Sequence, residues 1–402
     1  MKIAQIDVNY GSSSTGKIVA DLHVGLEDFG HSVKAFYGRG PASKADTVKK
    51  VSNDIEVGLH ALGTRLTGFT GCYSPIATKK LINLLSLYKP GIVHLHDLHG
   101  YFIDINTVVN FLKMENIPTV WTFHSEFMYT GKCGHALDCD KWRTHCDECP
   151  SLDDYPKSYI DRTAKMFDSK YKMFEDFENI HIVSPSDWLA RRIRASVIAG
   201  SKDITVIPNG LDVNVFYPRD TDDLRKHLDL DNKFTVLSVG SNIWSDMKGG
   251  KWVLKLAKRM PQVSFVMVGV DSQPDFAPGN VKMIAPVRDQ NLLAEYYSLA
   301  DVLLLTSIKE TFSMVTAESL ACGTPVVGFD SGAPKEVAPQ GYGTFVPQGD
   351  IDGLELSVWE CKNKLGDHRS AFECREFAKK MYSKEVMVRK YEHIYQKLVA
   401  SI

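Results

Sequence analysis

Short apolar runs alternate with amphipathic segments along the whole 402-residue chain, and this rhythm leaves room for little except an α/β architecture with parallel sheets. In the first half, strands are expected near Ile3–Val8, Val33–Tyr37, Ile92–Leu95, Thr119–Phe123, Ile180–Ser184 and Thr205–Ile207. Helical patterns fall between them, among them Lys17–Phe29, Ile105–Glu115 and Asp187–Ile198. Val19, Leu22 and Leu26 share one helical face, and Gly30 follows as a C-cap. The rhythm breaks at Pro208-Asn209-Gly210 and the polar stretch Arg219–Asn232, then restarts with Phe234–Val239. Further strands are expected near Ser264–Val268, Val281–Ile284, Val302–Leu305, Val326–Gly328 and Thr344–Val346, with helices at Asn291–Leu299 and Ser313–Ala321. Each half therefore reads as a doubly wound sheet. Ligands of such sheets bind beyond the carboxyl ends of the strands, so a site is expected in a cleft between two facing domains.

Composition removes several function classes. Lys plus Arg is 47 and Asp plus Glu is 49, for a net charge of -2, which is not the footprint of a dedicated nucleic-acid binder. No apolar run approaches the ~18–20 residues that span a bilayer. Asp7 interrupts the first apolar stretch, which argues against a signal peptide and for a cytoplasmic protein. In that compartment the eight cysteines are expected as thiols or metal ligands rather than disulfides.

Gly11-Ser12-Ser13-Ser14-Thr15-Gly16-Lys17 matches the first seven positions of a phosphate-binding P-loop. The next residue must carry a hydroxyl for magnesium, and here it is Ile18. The segment reads instead as a glycine-rich turn, with Gly16 letting the backbone approach a ligand.

Glu310-Thr311-Phe312-Ser313-Met314-Val315-Thr316-Ala317-Glu318 leads from an apolar strand into a helix. The first amides of that helix, at Ser313 and Met314, and its positive end suit a diphosphate. Glu318, one to two turns inside, could accept hydrogen bonds from a ribose diol. Carboxylates on both sides of a phosphate-binding helix end suit a nucleotide sugar. Gly323-Thr324-Pro325 and Ser331-Gly332-Ala333-Pro334 add tight turns at successive strand ends.

With its E-x7-E motif and trailing Ala321-Cys322-Gly323-Thr324-Pro325-Val326-Val327, the sequence resembles family-4 retaining glycosyltransferases of the GT-B fold. The flavour is that of bacterial capsule, exopolysaccharide, O-antigen or colanic-acid-type enzymes. Pro208-Asn209-Gly210-Leu211-Asp212 is similar to that family's linker, Lys248-Gly249 to its diphosphate lysine, and Trp121-Thr122-Phe123-His124 to its first-domain histidine motif. The resemblance implies two Rossmann-like domains: an acceptor-side domain at 1–207, with a Cys-rich loop at 131–150, and a nucleotide-sugar domain at 208–380. A C-terminal helix at 381–402 would pack back on the first domain. It also implies transfer, with retention, from a UDP- or GDP-sugar to a saccharide acceptor that is lipid-linked. Departure and attack would share one sugar face, since no nucleophile for double displacement is evident.

By the same resemblance, Glu310 contacts donor-sugar hydroxyls, Glu318 the ribose and Lys248 the leaving diphosphate. His124 contacts the sugar or the reacting centre without being an obligatory base. Gly16, Asn209, Asn242, Thr311, Phe312, Ser313 and Met314 complete the donor side, and His99 and Gly100 line the acceptor side. Two positions depart from the family: Asn242 stands where an arginine is usual, and Thr311 and Ser313 where glycines are usual. No persuasive D-x-D metal motif is present, so catalysis needs no cofactor beyond the donor.

The run His94-Leu95-His96-Asp97-Leu98-His99 suggests packing and acceptor contacts more than a metal. Cys133, Cys139, Cys146 and Cys149 in one polar loop are either a structural zinc site or unlinked thiols. Trp188 with Arg191, Arg192 and Arg194, and the amphipathic stretch Leu59–Tyr73 beside Lys79-Lys80, could bring the protein to the inner face of an anionic membrane. Three rival functions stay open: a sugar-nucleotide epimerase, a P-loop NTPase and a zinc-dependent scaffold.

Overall fold

Fully buried parallel strands account for the continuous, rather than alternating, apolar runs in the sequence. A computed structural model describes residues 1–272, 274, 277–363 and 369–400; residues 401 and 402, the end of the expected C-terminal helix, lie outside the described residues. The chain divides into two units, Met1–Pro208 with Met387–Ile402, and Asn209–Val386.

The first unit runs β1 (Lys2–Asp7), α1 (Ser13–Asp28), β2 (Ser32–Tyr37), β3 (Val48–Lys50), α2 (Asp54–Thr67), α3 (Pro75–Tyr88), β4 (Ile92–Leu95), α4 (Ile105–Met114), β5 (Thr119–Thr122), α5 (Thr163–Glu175), β6 (Ile180–Ser184), α6 (Asp187–Ala195) and β7 (Ile204–Val206). Its seven strands form one sheet in the order β3-β2-β1-β4-β5-β6-β7, parallel throughout. Strand β3 went unread in the sequence because three residues carry almost no periodicity.

The second unit holds α7 (Asp222–His227), β8 (Thr235–Val239), α8 (Gly250–Arg259), β9 (Ser264–Val268), β10 (Val281–Ile284), α9 (Gln290–Leu299), β11 (Val302–Leu305), α10 (Met314–Ala321), β12 (Val326–Phe329), α11 (Pro334–Val337), β13 (Gly343–Val346), α12 (Ile351–Lys362) and α13 (Ala371–Tyr382). Its sheet has the order β10-β9-β8-β11-β12-β13, again parallel. Each sheet reverses direction of growth next to its first strand, the switch-point geometry of Rossmann-like domains.

A last helix, α14 (Lys384–Ala400), buries Met387, Val388, Tyr391, Ile394 and Tyr395. Val388 lies over Gly25 of α1, where a Cβ would come 2.5 Å from its Cγ2. Tyr391 donates or accepts at Thr122 Oγ1 (2.8 Å), and Tyr395 meets His94 Nδ1 at 2.6 Å. At the start of the second unit, Leu211 N–H donates to Tyr382 O at 2.8 Å and Asp212 pairs with Lys384 at 2.6 Å.

Candidate active site

In the second unit the groups gather where β8 and β11 end, at the centre of the sheet. Gly249, with φ of 68°, leads into α8, and a Cβ there would sit 2.4 Å from Thr306 O. Only glycine tolerates both demands. Thr306 Oγ1 donates to Lys248 O at 2.9 Å, so the lysine is held against the end of β11. It precedes α8 rather than opening it, as the sequence suggested.

Glu310 is pinned through its backbone, its N–H donating to Ser331 O (2.8 Å) and its carbonyl accepting from Ala333 N–H (3.2 Å). The Ser331-Gly332-Ala333 turn noted in the sequence therefore sets the height of the glutamate. Lys248 Nζ donates to Glu310 Oε1 at 2.7 Å. The two opposite charges thus neutralise each other.

Ser313 caps α10 at φ of 80°, a left-handed conformation where a non-glycine side chain is strained. Its Oγ lies 2.9 Å from Thr316 Oγ1. Glu318 Oε2 accepts from the hydroxyl of Tyr297 at 2.8 Å. Tyr297 is fully buried at the end of α9, and burial, then Glu318, push its hydroxyl well above the usual range. Sequence reading missed this tyrosine, because its partner lies 21 residues on and neither spacing nor motif links them.

Other expected donor residues divide. Phe312 is in the core, edge-on to Tyr382 at 5.7 Å, so its side chain is an anchor and only its backbone borders the loop. Thr311 and Met314 are partly exposed, and Asn242 is exposed in a left-handed turn with φ of 52°. Asn209 is buried with its Oδ1 unsatisfied.

In the first unit, His124 Nε2 lies 3.1 Å from His96 Nδ1 with the rings stacked. Burial lowers His124 to about 4 and holds His94 and His96 well below the usual imidazole range, so all three are neutral near pH 7. His94 binds Thr122 and Tyr395, which makes it a packing residue under α14.

The sequence reading also passed over a carboxylate pair at the ends of β1 and β4. Asp7 accepts from the N–H groups of Asn9 (3.1 Å) and Asp97 (3.0 Å). Burial pushes Asp97 up to about 7 and raises Asp7 too, with the two charges repelling. An aspartate at a strand's carboxyl end was the available signal.

His99 stacks on Phe127 at 4.7 Å, and Gly100 sits so close to Val8 that a Cβ would fall 2.0 Å from its Cγ2. Gly16 is likewise a packing glycine: a Cβ there would meet Asn9 at 3.1 Å. Ile18 is buried in the core, so the position after Lys17 carries a packed apolar side chain in place of a hydroxyl.

Cys133 donates to Cys149, while Cys146 Sγ accepts from Gly131 N–H at 3.2 Å. Among the described residues no group of three or more His, Cys, Asp or Glu is arranged to hold a metal. On α6, Arg192 pairs with buried Glu126 and lies over Trp142, while Arg194, which donates to Ile204 O, and Arg191 stay exposed.

Comparison with known proteins adds the lineage. The family model described as Glycosyltransferase Family 4 matches residues 15–215, and that described as Glycosyl transferases group 1 matches 233–360. The chain is 25% identical to an Escherichia coli (strain K12) protein described as a colanic acid biosynthesis glycosyl transferase, WcaC, over 99% of this chain and 100% of that one. Among solved structures it resembles a sucrose-phosphate synthase of Thermosynechococcus elongatus (TM-score 0.71, 18% identity, all of both chains). It also resembles Anabaena Alr3699/HepE in complex with UDP (TM-score 0.70, 15% identity, 99% and 100% of the two chains).

Proposed function

Because the chain belongs to glycosyltransferase family 4, we propose that it moves a sugar, with retention, from a UDP- or GDP-sugar to a saccharide acceptor, lipid-linked, in surface-polysaccharide synthesis. The observation that carries the reading is the Lys248–Glu310 pair at 2.7 Å beside the start of α10. A donor diphosphate at that helix end takes Glu310's place on Lys248, and the released carboxylate accepts hydrogen bonds from hydroxyls of the sugar. The exchange leaves no charge unpaired. Lys248 then offsets the negative charge that grows on the leaving diphosphate, a role that raises rate rather than ground-state affinity.

Glu318, oriented by Tyr297, takes the ribose diol as acceptor. His124, held neutral, contributes a hydrogen bond to the sugar being transferred rather than a proton. The solved Anabaena complex with UDP supports a nucleoside diphosphate as the donor's leaving group, and the similarity to WcaC supports polysaccharide synthesis. No step of this scheme calls on a metal ion, since helix amides and Lys248 bear the diphosphate charge.

Calorimetric titration with UDP, GDP, ADP and ATP, with and without magnesium, tests the donor half. Binding of one nucleoside diphosphate without metal, weakened by Glu318→Ala, is expected. Magnesium-dependent ATP binding indifferent to Glu318 would overturn it. Turnover of a donor into an epimer with no acceptor present would point to the epimerase instead.

A further inference from the structure

Helix α2 is built inside out. Its buried face carries Glu56, His60 and Thr64, while Ile55, Leu59, Leu62 and Leu66, at i, i+4, i+7 and i+11, are 78%, 63%, 50% and 53% exposed. An ordinary surface helix buries the apolar stripe instead.

Glu56 and His60 on the polar face are engaged by neighbouring elements. Glu56 Oε1 accepts from the N–H groups of Ile76 and Ala77, both at 3.1 Å, and so caps α3. His60 holds Ser74 Oγ at 2.9 Å and accepts from Gly71 N–H at 3.2 Å. These bonds fix the rotation of α2, so the leucines cannot turn inward without breaking them.

The apolar patch extends beyond the helix. Ile76, next to the cap, is 72% exposed; Tyr159, whose N–H donates to Arg65 O at 2.8 Å, is 66% exposed. Basic side chains border it: Arg65 on α2, Lys79 and Lys80 on α3, with Lys80 Nζ bonded to Lys50 O at 2.9 Å near the start of α2. The acid at that end, Asp54, is paired with Lys50 at 3.0 Å. Exposed leucines ringed by cations match a surface that is apolar inside and anionic outside.

We propose that the α2 face, with Ile76 and Tyr159, docks on the headgroup boundary of a bilayer rich in anionic lipid. Leucines enter the acyl boundary and Arg65, Lys79 and Lys80 meet the headgroups. No helix among the described residues is long and apolar enough to cross a membrane, so the attachment is to one leaflet. A second copy of the chain is the rival occupant, but two such faces would bring their like-charged borders together.

Co-sedimentation with vesicles of phosphatidylcholine alone, and with about 30% phosphatidylglycerol added, tests the assignment at low and high salt. Binding to the anionic vesicles is expected, weakened about tenfold or more by Leu59→Glu with Leu62→Glu. Lys79→Ala with Lys80→Ala should cost about tenfold on anionic vesicles. Nucleotide binding, measured on the same samples, should not change, and this separates failure of the docking face from failure of the donor site. Absence of vesicle binding, or equal binding by the variants, would overturn the proposal. So would a concentration-dependent dimer in analytical ultracentrifugation that the leucine substitutions abolish, since the face would then belong to a second copy.

Discussion

Lys248 Nζ lies 2.7 Å from Glu310 Oε1, a pair joining a loop after β8 to a loop after β11 across 62 residues of sequence. Lys248 is held by its own N–H on Ser245 O and by Thr306 Oγ1 at the end of β11, and Glu310 by Ser331 and Ala333 after β12, so the pair depends on three neighbouring strand ends.

Lys248→Ala should lower kcat by about a hundredfold to a thousandfold, the usual loss when one charge stabiliser of a transition state is removed. The pair is partly solvent-screened, at 33% and 16% exposure, so stability should change by under ~1 kcal/mol. Steady-state transfer and a melting curve on the same preparation check both. An unchanged kcat would remove Lys248 from the reaction.

Glu318→Ala should weaken nucleoside-diphosphate binding about tenfold to a hundredfold, as a charged acceptor is lost. Tyr297→Phe keeps the carboxylate but frees it to rotate, and should cost about threefold to tenfold. Titration calorimetry distinguishes the two. A larger loss for the tyrosine than for the glutamate would contradict the assigned order of contact.

Ser313 sits at φ of 80°. Glycine there removes a left-handed penalty of ~1–2 kcal/mol and loses one hydroxyl bond of ~1 kcal/mol, so Ser313→Gly should stay within about 1 kcal/mol of the parent. Ser313→Val keeps the strain, adds β-branching and loses the bond, and should destabilise by ~2–3 kcal/mol. Urea midpoints at constant slope would show it; equal effects would mean the turn relaxes.

Acid should destabilise the first unit. His124 and His60 are lowered to about 4, with His94 and His96 lower still, by burial. Folded, they bind a proton more weakly than unfolded, so their contribution is complete above ~6.5 and is lost as pH falls toward 4. Asp97, raised to about 7, has the opposite sign: its contribution is complete below the ordinary carboxylate range and is lost as pH rises through about 7. Asp7, also raised by burial, acts in the same direction as Asp97, but the four histidines outnumber the two carboxylates and each can contribute up to ~3 kcal/mol. The urea midpoint should therefore fall from about pH 6.5 to about pH 4.5, less steeply in His124→Gln. A flat profile would mean these rings are not buried neutral.

Cys149, accepting from Cys133 and lying near Lys132, has its thiol held below the usual range. Iodoacetamide near pH 7 should modify Cys149 before the other cysteines, and Lys132→Ala should slow that reaction by a few-fold. Peptide mapping of singly alkylated protein reads the order, and first modification at Cys361 or Cys374 would refute it.

Much of the site was legible because its residues lie next to one another in sequence. The E-x7-E segment spans one strand end and one helix, so both glutamates and the capping turn could be read from local pattern. Tyr297 and Asp7 were missed because each acts on a neighbour brought close only by the sheet order. Composition cannot tell whether a missing Cβ makes room for a ligand or for Asn9 and Val8.

Hydrophobic periodicity over windows of ten residues was enough to determine the α/β class and the two parallel sheets, since strands and helices arise from local spacing. Tertiary structure alone decided which face of a helix turns inward. In α2 the leucines form one stripe of an amphipathic stretch, and the capping of α3 by Glu56 and the bonds of His60 turn the polar face inward and leave that stripe in solvent. Buried polar groups must be satisfied by partners far along the chain, and no local pattern names those partners.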